Sequence, residues 1–348
     1  MKKNTEERDL SMSVRTAFMT VCVCGLSAAG MQAAVAASAA ADAPESYPNR
    51  PVRLIAPFVP GGPTDIVARL VAQKMGDNTR QSVVVENRGG AGGSVGMQLA
   101  ANSTPDGYTF VLGSSGNLAV NPALDPKLPY DPLKDFQPLT QTTSGPQIFV
   151  VPVSLPVKTV QDLVALAKAK PGQLNYASGG AGTTTHLGVE LFKMMTGVNM
   201  VHVPYKGTGQ ALTDVISGQV QMMMSSALPA VPHIKAGRLR GLGVTSAKRA
   251  AAYPELPTLS ESGVPGFETT SWHGMLVPAK TPRAVVQRVH AELVKALTAP
   301  EVKEKFAGLG MDVVANRPEE FTAYIKDENV KWRKVVATIG LKPEPQAQ

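Results

Sequence analysis

The sequence predicts an α/β protein built on parallel-rich sheets, and three observations lead there. From Tyr47 onward, short apolar strands alternate with amphipathic helices, the order that produces a parallel sheet covered on both faces. Turns rich in glycine or small polar residues stand at the carboxyl ends of several strands, where ligands bind in such sheets. The chain has 348 residues, enough for about two domains and a sizeable core.

The first unit lies in the stretch Val52–Asp65: an apolar strand comes first, then a Gly61-Gly62 turn and a helix opening at Pro63. Proline suits a first helical turn because its missing N–H would have no helical partner there. Thr64 and Asp65 lie where polar side chains can serve orphan N–H groups. Without a Cβ, Gly61 and Gly62 allow close approach to their backbone. Free N–H groups and the positive end of the helix dipole together form an anion cradle. Many strand-to-helix turns share this shape and bind nothing, so a cradle and an ordinary connection both stand.

A second strand covers Ser82–Asn87, a glycine turn Arg88–Ser94, a helix Val95–Ala101, and a third strand Tyr108–Gly113 ending in Ser114-Ser115-Gly116-Asn117. Residues 121–138, with five prolines, read as an extended surface loop. A strand then begins at Gln147, and Thr159-Val160-Gln161-Asp162 opens a helix in the manner of a capping box. Strand Leu174–Ser178 leads through Gly179–Thr185 into a helix ending at Gly197. The two runs of strand, glycine turn and helix, near residues 61 and 180, would grip both ends of a small anion if they faced each other. Strand Met200–Pro204, loop Tyr205–Gly209 and a helix to Gly218 follow. Next come strand Val220–Met224, Ser225-Ser226, a short helix ending near Gly237 and strand Arg240–Thr245. After a loop over 253–270, Met275–Pro278 is a returning strand. Thr281-Pro282 caps a helix with Val285, Val286, Val289 and Leu293 on one face, and Pro318 starts the last helix.

The first forty or so residues are of another kind. Lys2, Lys3, Arg8 and Arg15 precede an apolar run and then alternating alanines up to Ala41, the pattern of a secretory signal. The run is too short and interrupted for a membrane span. Cleavage is expected between Ala34 and Ala41, and Met12 competes with Met1 as the start. Both cysteines, Cys22 and Cys24, fall in this leader, so a mature chain after Ala41 holds no disulfide and relies on its core. Losing residues 1–41 takes the formal net charge from +7 to +6, a surplus that can steer small anions or simply belong to a basic surface.

Other chemistries find little support. Gly90–Gly96 approaches a dinucleotide turn, but its third glycine falls one residue late and no acid follows at the required distance. Tyr130 and Lys134 have reductase-like spacing, which Pro132 breaks. No nucleophile elbow occurs. The five histidines, His186, His202, His233, His273 and His290, show no metal-ligand spacing, and no cofactor is expected. His186, after a glycine/threonine loop at a helix start, serves either ligand or packing. Met222-Met223-Met224 reads as buried strand. Nucleic acid is not an expected partner, since aromatic and basic residues do not interleave.

Three runs carry a resemblance. They are Pro57–Asp65 with Ala68-Arg69; Asn87–Gly93 with Pro105–Thr109; and Tyr176–Leu187 with Val203–Gly207. In this order, over about 47–341, the chain resembles the periplasmic solute-binding receptors of tripartite tricarboxylate transporters, often called Bug proteins. The resemblance implies a two-lobed flytrap fold, with residues 47–145 plus 272–348 as one lobe and 146–271 as the other. It implies periplasmic localisation, no catalysis, a small organic anion in the cleft, delivery to membrane permease subunits, and a monomer. Site positions carried over are Phe58, Gly61, Gly62 and Asp65 in the first loop, and Gly182, Thr183, Thr184 and His186 in the second. Ser114, Tyr205 and Ser225 join them. Some relatives carry an acid on the loop after the strand that here reads Met222-Met223-Met224. This chain has Ser225-Ser226 there, which favours a mono- or dicarboxylate, aromatic ones included, over an amino acid. Two other readings use the same cleft: an exported α/β enzyme acting on a small anion, and a ligand-sensing partner of a membrane sensor kinase.

Overall fold

The computed structural model describes residues 47–340. Contacts divide the chain between Asn49 and Arg50, and the fold described is that of the part from Arg50 onward. The expected leader, residues 1–41, lies outside the described residues, as do residues 341–348.

The strands are β1 Val52–Ala56, β2 Val83–Asn87, β3 Thr109–Ser114, β4 Phe136–Pro152, β5 Asn175–Ser178, β6 Val201–Pro204, β7 Met222–Ser226, β8 Leu239–Val244, β9 Thr270–Pro278 and β10 Asp312–Val313. The α-helices are α1 Pro63–Thr79, α2 Ser94–Ala101, α3 Asn121–Leu124, α4 Val160–Ala169, α5 Thr184–Thr196, α6 Thr208–Ile216, α7 Ala227–Lys235, α8 Arg283–Leu297, α9 Pro300–Gly308 and α10 Pro318–Ile339. A π-helical stretch, Gly116–Val120, runs into α3.

The strands pair in the order β2-β1-β3-β9-β4-β7-β5-β6, with β8 and β10 also paired to β4. β1 lies parallel to β2 and β3, and β5 lies parallel to β6 and β7. The two parallel groups are joined by long antiparallel strands. Phe136–Pro146 of β4 pairs with β9, while Gln147–Val150 pairs with β7. Pairing partners therefore change between Pro146 and Gln147.

Both faces of the second group are covered, as parallel sheets require. Met222 and Met224 enter one apolar cluster with Phe149, Tyr176 and Phe192; Met223 enters the opposite one with Ile148, Val150 and Ala177. That alternation is the period-2 consequence of strand geometry. The first group closes on Ile55, Val111, Leu276, Phe321 and Trp272.

Several expectations are corrected. The stretch 121–138 is a loop only over 125–135, between α3 and β4. Pro122 sits in the first turn of α3, where it lacks nothing. β4 already starts at Phe136, and Pro138 is accommodated at a register shift. The polar run Thr140–Ser144 concealed this strand, because four of its five residues are buried. β9 begins at Thr270 rather than Met275. Helix α9 and strand β10 were not anticipated. Thr281 does not cap α8; its hydroxyl donates to the Pro278 carbonyl at 2.8 Å.

A buried carboxylate ties β9 to the last helix. Glu328 accepts hydrogen bonds from Trp272 Nε1 at 3.0 Å and Trp332 Nε1 at 3.2 Å, and Lys331 lies 3.5 Å from its other oxygen. Removing the acceptor orphans two buried indole N–H groups. Glu328→Ala is expected to cost about 2–4 kcal/mol in urea denaturation; a loss under about 0.5 kcal/mol would contradict this role.

Candidate functional site

A cavity opens where the carboxyl ends of the parallel strands meet β4 and β9. Its walls come from both strand groups: Phe58 and Gly62–Thr64 after β1, Ser114–Gly116 after β3, Thr183–Thr185 after β5, Thr208 after β6, and Ser226 at the end of β7. Gln147 of β4 and Ser271 and His273 of β9 complete it. None of these residues carries a fixed charge. The cavity is about 30 Å³, room for roughly two waters.

Four α-helices begin at this cavity. Gly62, Thr183 and Ser226 are the N-caps of α1, α5 and α7, and Thr208 is the first residue of α6. None of the four starts has a side-chain cap. Thr159 and Asp162 form a complete capping box on α4, while α2, α3, α8 and α9 also start without a side-chain cap. The first N–H groups of a helix need an acceptor, and the helix dipole makes that acceptor preferably an anion. Two hydroxyls reinforce the reading. Ser115 Oγ and Ser226 Oγ are buried at the cavity wall, each without a hydrogen-bond partner among the described residues; an unused buried donor is costly unless a ligand takes it.

The remaining lining groups are held in place by their own bonds. Thr183 Oγ1 donates to the Gly180 carbonyl at 2.7 Å, which explains why it does not cap its helix. Thr185 Oγ1 lies 2.8 Å from Thr183 Oγ1 and accepts from Gly179 N–H at 3.0 Å. Gln147 accepts from the Thr269 hydroxyl through Oε1 at 3.4 Å, which leaves its NH2 group available as a donor. His273 is 1% exposed, and Thr143 Oγ1 meets its Nδ1 at 3.3 Å. Burial pulls its pKa down to about 4, so it is neutral at pH 7.

Of the positions expected from sequence, Phe58, Gly62, Ser114, Thr183 and Thr184 line this cavity together. The others stand behind or beside it. Gly61 lines a separate groove with α6 and α7. Asp65 faces away from the cavity. Burial alone would raise its pKa, but bonds from Arg69, Gly61 N–H and Asn87 outweigh this and hold the carboxyl below its ordinary range. Gly61 N–H donates to it at 3.0 Å and Asn87 Nδ2 at 2.9 Å, while Asn87 Nδ2 also donates to the Phe58 carbonyl at 3.0 Å. Asp65 thus braces the first loop, and a carboxylate turned toward an anion would repel it. His186 is fully buried and stacks on His202 with ring centres 4.0 Å apart. Burial first, then His202 and Lys193, lower its pKa to about 3, and its Nδ1 accepts from Gly182 N–H at 3.3 Å. Tyr205 donates to Asp214 at 2.5 Å; burial and that partner push its pKa up to about 12. Ser225 Oγ donates to the Ser226 carbonyl at 3.1 Å, so the neighbouring Ser226, on the other face of the strand, is the one at the cavity. Ser115, Gly116, Gln147, Thr185, Thr208, Ser226, Ser271 and His273 were not singled out from sequence. The small polar residues after β3, β6 and β7 were the available signal; nothing local marked Gln147, Ser271 or His273.

The loops of the two strand groups interlock above the cavity. A Cβ on Gly92 (φ +60°) would lie 2.6 Å from the Ala181 carbonyl, and one on Gly182 (φ +73°) only 1.8 Å from Asn121 Oδ1. Both positions combine a left-handed backbone with no room for a side chain. Among the described residues no group of three or more His, Cys, Asp or Glu could hold a metal ion, and no helix is long and apolar enough to cross a membrane.

Comparison with known proteins agrees with this geometry. Residues 67–341 match the family described as tripartite tricarboxylate transporter family receptor. The chain is 36% identical to Protein BugT of Bordetella pertussis over 318 residues, covering 91% of this chain and 98% of that one. It superposes on R. palustris Rpa4515 with adipate at TM-score 0.84 and 36% identity, covering 86% of this chain and 100% of that one. The periplasmic binding protein BugD gives TM-score 0.83 and 34% identity, with 86% and 100% covered.

Two outcomes are expected. Gly182→Ala cannot keep the interlocked loops, so it should weaken ligand binding at least tenfold by calorimetry, with a smaller fall in melting temperature; unchanged affinity would contradict the interlock. His186 and His273 are neutral in the fold but charge readily when unfolded, because their folded pKa values of about 3 and about 4 lie below the ordinary histidine value. Their contribution to stability is complete above the ordinary value and is lost as pH falls toward the folded ones. The urea midpoint of the unliganded protein should therefore drop between pH 7 and pH 5, and a flat midpoint over that window would count against buried neutral imidazoles.

Proposed function

The chain belongs to the tripartite tricarboxylate transporter receptor family, and we propose that this periplasmic solute-binding receptor captures a small mono- or dicarboxylate, aromatic ones included, and delivers it to a tripartite permease. The observation that carries the ligand class is the set of four uncapped helix starts around one uncharged cavity. Oriented N–H groups complement a carboxylate at either end without any cationic side chain. Adipate, bound by Rpa4515, is a ligand of this chemistry.

An α-amino acid fits less well. Its ammonium group would need an acid or several acceptors, and no carboxylate lines the cavity. The hydroxyls of Ser115 and Ser226 can donate as readily as accept, which suits carboxylate oxygens.

The lobes are proposed as residues 47–145 plus 272–348 and residues 146–271. Support comes from β4, whose partners change between Pro146 and Gln147, and from β9, which returns beside it. A ligand touching both groups would draw them together by bending these two strands, a hinge motion of the kind that periplasmic receptors use. The monomer, closed on its ligand, would then present a surface distinct from the open form to the permease. The family is a class of receptors, and the same reading makes this chain a binder without turnover.

A thermal-shift screen of the purified chain tests the ligand class, with acetate, benzoate, succinate, malate, adipate and phthalate set against aspartate and glutamate. At least one simple acid should raise the melting temperature through preferential binding to the native state, remain chemically unchanged on recovery, and exceed both amino acids. Stabilisation by aspartate or glutamate alone would reverse the ligand class; conversion of the acid would make the protein an enzyme.

A further inference from the structure

Of the fifteen described residues around the cavity, His273 alone has a side chain that can take up a proton to become a cation. The others contribute hydroxyls, a carboxamide, backbone and two apolar rings. His273 faces Ser114 on β3 and Thr143 on β4, its register partners on either side, and shares the cavity face of β9 with Ser271. With Nδ1 engaged by Thr143, Nε2 is the ring nitrogen available to a ligand.

We propose that His273 is the specificity-determining donor of this site: it hydrogen-bonds a ligand carboxylate through Nε2 and takes up a proton from solvent as that carboxylate arrives. This rests on the carboxylate-receptor reading above.

The electrostatics support the coupling. Ser114 and Thr143, its neighbours on β3 and β4, are uncharged, and so is every other residue of the cavity wall. Burial is the one cause of its lowered pKa, with no charged group contributing. An empty cavity surrounded by four positive helix ends resists a further positive charge on the ring. A bound carboxylate reverses that field and favours imidazolium. Both ring nitrogens then donate, Nε2 to the ligand and Nδ1 to Thr143, whose hydroxyl can turn to accept. The proton balance is simple: one proton leaves solvent and resides on the ring while the ligand is bound.

Affinity should therefore rise as pH falls, by up to tenfold per unit where the empty site is neutral and the filled site protonated. Calorimetry of the full chain with adipate, and with the strongest acid of the thermal-shift panel, measures this directly. Titrations at pH 7.5, 6.5 and 5.5 in buffers of different ionisation heat count the protons taken up. After correction for the probe's own titration, the wild type should take up part of one proton and bind about three- to tenfold more tightly at pH 5.5 than at pH 7.5. A folded His273→Gln chain that binds should show neither effect, and loss of binding by a folded variant would also support the contact. Should the variant fail to fold, NMR of histidine labelled at Cε1 in the wild type replaces it: of the five histidine signals, one buried signal must move to the imidazolium position on adding the acid at pH 6. Binding with no proton uptake, uptake that persists in His273→Gln, or histidine signals that stay neutral would overturn the proposal and leave the receptor reading intact. A panel in which no acid binds would overturn both.

Discussion

The structure depends on one unmet electrostatic requirement. Four helices start at a single buried cavity, none with a side-chain cap, and among the described residues no charged side chain lines that cavity. Each helix start carries about half a positive charge on N–H groups that need an acceptor. Four such starts opening on a common space favour negative charge there before any particular side chain is considered. The serine hydroxyls of Ser115 and Ser226 extend that requirement, since both are buried there without a hydrogen-bond partner among the described residues.

Strand direction makes the convergence possible. β1, β5, β6 and β7 each deliver a helix start at the carboxyl end, and the two parallel groups are joined so that these ends meet. The long strands β4 and β9 hold the groups together and also contribute Gln147, Ser271 and His273 to the wall. The connection between halves and the floor of the site are thus the same backbone. Glu328, gripping Trp272 beside His273, anchors β9 to the last helix.

Many residues that look functional in the sequence work behind the site. Asp65, His186 and Tyr205 each bond to neighbours in a way that shapes a loop: Asp65 braces Phe58–Gly62, His186 receives Gly182 N–H, and Tyr205 is tied to Asp214. The glycines of the second loop serve clearance, as the position of Gly182 against Asn121 shows. Polar residues of these loops are therefore of two kinds, those that line the cavity and those that hold the backbone that lines it.

The amino-acid order alone determined the alternation of strands and helices, the glycine turns after β1 and β5, and the family. These are local matters: apolar periodicity, proline at a first turn, glycine where the backbone must turn, and motifs in a fixed order. Phe58, Gly62, Ser114, Thr183 and Thr184, expected at the site from sequence, line the cavity together. Only the tertiary structure decided that Ser226 rather than Ser225 faces the cavity, because one residue along a strand reverses the side. The strand from Phe136 was hidden because its buried threonines and glutamine read as loop until their partners were known. Most of all, His273 looks like any histidine in an apolar strand; its place in the site comes from β9 lying between β3 and β4, a pairing of residues more than a hundred positions apart that no local pattern encodes.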